Sequence, residues 1–155
     1  MHTEHLQNVH PVRVLGGWLV SIAVTSAAVF GLIVIGLMGA EAAATDAVWA
    51  VLAVGVGFFV GGWFTGFRTL EAPILHGIAL GLTSLAAWAV LNLVVAIGWG
   101  AGEWSGLGTT AALVVLLTQV ITAVAGCWVG TTVARSRAGE LATTPAAGVR
   151  ERGRK

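Results

Sequence analysis

The sequence predicts an all-α polytopic membrane protein, a four-transmembrane-helix antiparallel bundle with both termini on the cytoplasmic side. Three observations carry that expectation. Four apolar stretches, Val14–Gly39, Ala47–Phe67, Pro73–Trp99 and Thr109–Ala134, each have about the 20 residues that a bilayer-spanning helix needs. The connections between them are short, so consecutive helices are expected to be antiparallel neighbours. Finally, Arg13, Arg68, Arg135, Arg137, Arg150, Arg152, Arg154 and Lys155 all fall on one side of such a bundle, while the opposite loops hold only Glu41, Asp46 and Glu103. With the N-terminus inside, every loop obeys the positive-inside bias.

Composition agrees. Apolar residues make up 57% of the chain and charged residues 10%, against about 25% charged in an ordinary soluble domain. A chain of 155 residues holds one compact bundle and leaves no room for a soluble domain. Its single cysteine, Cys127, excludes an intramolecular disulfide. The absence of tyrosine and the wealth of Ala, Val, Gly and Arg suit a GC-rich bacterial genome, and so a bacterial cytoplasmic membrane.

The first stretch follows a cytoplasmic segment, residues 1–13, and ends near Ala42-Ala43-Ala44, which resembles a signal-peptide cleavage site. A signal core is usually about 7–15 residues. Val14–Gly39 is longer and uncharged, so it is read as a retained helix. The second stretch carries Gly57-x3-Gly61 and Gly62-x3-Gly66. At about 100° per residue, Gly62 and Gly66 share a face with Gly55, and Gly57 and Gly61 share the opposite face with Ala50 and Ala53. Membrane helices associate through close backbone contact at small residues. A helix with two such faces is expected at the centre, packed within the chain or between protomers. Pro73 suits the first turn of the third helix, which continues with Gly77-x3-Gly81. The fourth repeats the theme with Ala123, Gly126 and Gly130. Tryptophans mark water boundaries: Trp18 and Trp63 toward the inner face, Trp49, Trp99 and Trp104 at the outer, with Trp88 near mid-membrane as packing mass.

The block Gly61-Gly62-Trp63-Phe64-Thr65-Gly66 aligns loosely with Ala125-Gly126-Cys127-Trp128-Val129-Gly130, and each is followed by arginine, Arg68 or Arg135. Duplication of a helix pair and convergence of Gly-rich helix ends both account for it.

Uncharged amides are the polar groups within the spans. Asn92 shares a face with Gly77, Gly81, Ser84 and Trp88, and Gln119 shares one with Ala123, Gly126 and Gly130. An amide in hydrocarbon must be satisfied, so both are expected to bond across helices or to line a polar path. No ionisable residue lies deep in a span, which disfavours proton-coupled antiport. The inner turn gathers Arg68, Thr69, Glu71, Pro73 and His76, with Arg68 and Glu71 placed to suit the dipoles of the helices they flank. His76, one turn inside, is expected to bond a loop group or to reach Arg68 or Glu71. The loose set His2, His5 and His10 makes a poor metal site. No nucleophile–base set, carboxylate pair or phosphate-cradling loop is present, so no catalytic residue, metal or cofactor is expected. An enzyme acting on lipid through His76 and Glu71 is the residual alternative. The tail, Arg135–Lys155, has no apolar periodicity and is expected to be disordered. Its basic residues attract anionic headgroups at about 1 kcal/mol each. The aromatic residues lie elsewhere, which argues against nucleic acid.

Gly61-Gly62-x3-Gly66-x-Arg68, a short loop and then Leu75-His76-Gly77 resemble the central signature of small uncharacterised bacterial four-span membrane proteins. The resemblance covers about 20 residues, and elsewhere extends only to hydropathy. Thr65 departs from it, standing where alanine is usual. The resemblance implies a four-helix architecture and a cytoplasmic turn, and it assigns no activity. The functional expectation is a non-enzymatic structural or accessory membrane component packing through its glycine faces, as a homo-oligomer or complex subunit. The alternative is a small oligomeric channel or transporter, holin-like pores included, with a path near Asn92 and Gln119.

Overall fold

The computed structural model describes residues 10–39, 44–70, 72–99 and 109–143, and it is an all-α four-helix bundle. The helices are α1 (Pro11–Val34), α2 (Ala44–Arg68), α3 (Pro73–Trp99) and α4 (Thr109–Thr143). Each is long and apolar enough to cross a membrane, so the architecture is that of a polytopic membrane protein.

Local chemistry sets most of the helix ends. Pro11 occupies the first turn of α1 after His10, where a missing N–H costs nothing. The same helix stops five residues before the apolar run does, at Val34 instead of Gly39. Gly36 takes a left-handed φ of 74°. The Leu37 N–H then donates to the Leu32 carbonyl at 2.9 Å and the Gly36 N–H to the Ile33 carbonyl at 3.0 Å. This pair of bonds satisfies carbonyls that the helix end would otherwise strand.

Contrary to expectation, the fourth helix does not give way to an irregular tail at Ala134. It continues to Thr143. Ala, Arg, Ser and Glu in this stretch are adequate helix formers, and a helix already running needs no new nucleus. At 1.5 Å per residue its 35 residues span about 52 Å, well beyond a hydrocarbon core of about 30 Å. Exposed Arg135, Arg137 and Glu140 ride on the excess. Residues 144–155, with the remaining basic side chains, lie outside the described residues, as do Glu41, Glu103, Trp104, His2 and His5.

The order around the bundle meets the loop-length expectation for α1–α2 and α3–α4 and departs from it for α2–α3. α2 packs most extensively against α4, then against α1; α3 rests on α4, and its contact with α2 is slight. A short loop fixes only where the next helix begins. Which flank it then follows is decided by the small-residue faces, and those of α2 are taken by α1 and α4. A Cβ added at Gly57 would fall 2.7 Å from the Ser21 carbonyl oxygen of α1, and one at Gly61 would strike Ser21 and the Gly17 carbonyl. On the opposite face, a Cβ at Gly62 would lie 3.0 Å from the Ala123 Cα, and at Gly66 2.7 Å from the Cys127 Cα. The relation is reciprocal: Gly126 and Gly130 would each set a Cβ 2.8 Å from a backbone nitrogen of α2, at Trp63 and Phe67. Gly77 meets the Val124 backbone, and Gly81 the side chain of Val120. α2 is therefore central, as its two small faces predict, and all eight of these glycines are used inside one chain.

Full burial is concentrated toward one end of the molecule. Every buried side chain among the described residues lies within 14–21 of α1, 53–69 of α2, the turn at Ala72, 76–81 of α3 or 123–131 of α4. These are the halves nearest Arg13, Arg68 and Arg135, here called the basic end. Toward the other end no described side chain is fully buried, and α3, which packs mainly on α4, exposes most of its residues beyond Leu82.

Candidate functional site

At the basic end the polar side chains of the core close on the turn between α2 and α3. Ala72 adopts a left-handed φ of 47°, strained for a residue with a Cβ, and its carbonyl points back into α3. There it accepts the His76 N–H at 3.2 Å and the His76 ring Nδ1–H at 2.9 Å. Nε2 of the same ring accepts the backbone N–H of His10 at 3.3 Å. His76 is fully buried. Through these two bonds one histidine joins the turn before α3 to the start of α1. The expected bond to a loop group is present, whereas Arg68 is turned away, its guanidinium stacked 4.3 Å from the Phe64 ring centre. Glu71 lies outside the described residues.

Threonines and arginine complete the closure. Thr131 of α4, fully buried, sits 3.1 Å from both the Gly66 and Thr69 carbonyls, sharing one hydroxyl hydrogen between them. Thr69 donates to the Thr65 carbonyl at 2.7 Å, and Thr65 to the Gly61 carbonyl at 3.0 Å. The Arg135 guanidinium donates to the Leu70 carbonyl at 2.6 Å. Carbonyls stranded at the C-terminus of α2 are thus satisfied from α4, as helix termini require. Arg137 lies 5.5 Å from the Phe67 ring centre. Thr65, the departure from the family-like signature, packs its hydroxyl against Gly17, where a Cβ would strike it. Among the described residues, two buried groups have no hydrogen-bond partner: the Trp18 indole N–H and the Thr25 hydroxyl.

The sequence offered no signal for Thr131, Arg135 or His10 in these roles. A threonine near a helix end is visible, but the carbonyl it will meet depends on which helix packs beside it.

Midway along the bundle, α3 and α4 part around a cavity of about 250 Å³, lined by Ser84, Leu85, Trp88, Ala112, Leu116 and Gln119 among others. Gln119 and Ser84 therefore do share a site. Asn92 does not join them: its amide donates at 2.7 Å to the Trp88 carbonyl of its own helix. Among the described residues neither amide bonds across helices, the first of the two expected arrangements. The reason is the separation of α3 from its neighbours at this level, which leaves Asn92 only its own backbone to meet.

These features define the class, a four-helix membrane protein with a closed basic end and a lateral cavity. Comparison with protein-family models, with curated proteins and with solved structures finds no match to the chain.

Proposed function

We propose that the chain is a non-enzymatic structural or accessory component of a bacterial cytoplasmic membrane, inserted with both termini inside. The observation that carries this reading is the contrast between its two halves. At the basic end, Gly57, Gly61, Gly62, Gly66, Gly77, Gly81, Gly126 and Gly130 all face a neighbouring helix of the same chain. Beyond Leu82, α3 presents Leu85, Val90, Leu91, Leu93, Val94 and Ile97 outward, with one neighbouring helix to cover it. That face suits a partner helix or a second copy, making the chain a homo-oligomer or complex subunit. The basic end, with Arg13, Arg68, Arg135 and Arg137, suits anionic headgroups. The lipid-acting enzyme reading needs an accessible His76, and both ring nitrogens of this buried residue are engaged.

Photo-crosslinking from Leu91 and Ile97 in native membranes tests the proposal. A discrete adduct from these positions, and none from Phe30 on α1, supports it. Lipid-only labelling at all three sinks it. The second reading, a channel or transporter, is favoured by the presence of Gln119 in the cavity lining. Ion or solute flux in liposomes that disappears with Gln119→Leu and Asn92→Leu would establish it in place of the first.

A further inference from the structure

Polar side chains in these spans generally satisfy themselves on their own helix. Thr83 donates to Ala79, Asn92 to Trp88, Thr118 to Val114 and Thr122 to Thr118, at 2.6–2.8 Å. Ser84 and Gln119 do not. Neither side chain hydrogen-bonds a described group, and both line the cavity between α3 and α4. In hydrocarbon an unpaired amide or hydroxyl is costly, so the pair makes a polar spot waiting on an otherwise apolar wall. The rim residues Leu85, Trp88 and Leu113 are exposed on the flank of the bundle, which meets the acyl chains.

The geometry points to a binding site for an uncharged, membrane-dissolved ring compound that presents a carbonyl oxygen to Gln119 and Ser84. Three properties of the cavity select this class. Its volume of about 250 Å³ exceeds the roughly 150 Å³ that encloses benzene in an engineered cavity, so a fused two-ring body fits. The side-chain N–H of Gln119 and O–H of Ser84 are both donors, and a carbonyl oxygen accepts two. Without a cation or carboxylate in the lining, a charged head would be expelled. The Trp88 ring supplies an aromatic wall against which a flat body stacks. A lipid-soluble quinone has these features.

The probe is 2-methyl-1,4-naphthoquinone, titrated by equilibrium dialysis into full-length protein in phosphatidylcholine nanodiscs, with empty nanodiscs as reference. Wild type is expected to show saturable binding above simple partition. Gln119→Leu and Ser84→Ala should each weaken it by roughly tenfold, the scale of one buried hydrogen bond, with helix content and elution volume unchanged. Ala112→Phe, which fills the cavity, should abolish saturation. Naphthalene, lacking the carbonyl, should bind more weakly and ignore Gln119→Leu. Uptake no greater than in empty nanodiscs would overturn the inference. So would saturable binding indifferent to Gln119→Leu and Ser84→Ala, which would place the probe elsewhere or mark the cavity as an acyl-chain slot.

Discussion

Single residues at the basic end act as fasteners, each joining elements far apart in sequence. His76 holds the first turn of α1 through the His10 N–H and the α3 entry through the Ala72 carbonyl. His76→Phe keeps a ring of similar size and loses both bonds, so the first turn of α1 should fray. Hydrogen–deuterium exchange over 11–14 should rise at least tenfold, while exchange in the middle of α2 stays unchanged. Thr131→Val is nearly isosteric and removes only the hydroxyl shared by Gly66 and Thr69. It should cost about 1–2 kcal/mol, as interhelical hydrogen bonds in membranes do, read as a shift in the unfolding midpoint in mixed micelles. Ala72 illustrates the opposite case. Its left-handed φ suits glycine, so Ala72→Gly should leave the protein as stable or raise its stability by up to about 1 kcal/mol, after glycine's own entropy cost is deducted. Destabilisation there would mean that the turn depends on the alanine methyl group.

For the helices, the decisive quantity is how closely two backbones approach. Gly62 and Gly66 face the α4 backbone, and Gly126 and Gly130 face that of α2. Gly62→Leu with Gly66→Leu should therefore separate α2 from α4 and abolish folding of the monomer, whatever its effect on assembly. Gly31 has nothing within 4 Å of an added Cβ, so Gly31→Ala should be neutral or slightly stabilising through helix propensity. Trypsin susceptibility in micelles distinguishes the two outcomes. Much of this was legible in the sequence, since residue spacing alone divides the α2 glycines into the two faces that α1 and α4 take. What spacing could not supply is the partner of each face. Loop length argued for α2 beside α3, yet small-residue complementarity sends α2 to α4. The extension of α4 past Ala134 was hidden for a related reason: a helix already nucleated in the bilayer extends through residues whose own pattern gives no helical sign. For the cavity, Gln119 and Ser84 were each readable as buried-face polar groups, but their meeting depends on the divergence of α3.

Across the whole molecule, the closed basic end and the parted far end give two regions of different cooperativity. The buried core and the fasteners are together at one end, so that half should exchange its amides only on global unfolding. The far halves, with fewer interhelical contacts to lose, open at lower free energy. Mass-resolved exchange in nanodiscs should show 57–69 and 123–131 protected longest and 85–98 shortest among the interior segments. A uniform profile would contradict the packing described here. The four described basic side chains, Arg13, Arg68, Arg135 and Arg137, lie at the same end as the buried core.

Glycine contacts carry an asymmetry of their own. A helix pair joined through glycines freezes almost no side-chain rotamers, so its association loses little conformational entropy. The same absence of side chains leaves nothing that can be trimmed or reshaped when a mutation arrives: every substitution at Gly62, Gly66, Gly126 or Gly130 adds atoms where backbone already lies. The far half can exchange one apolar side chain for another at little cost. Descendants of this chain should therefore drift fastest among the apolar positions on the outward face of α3, and scarcely at all at the basic end.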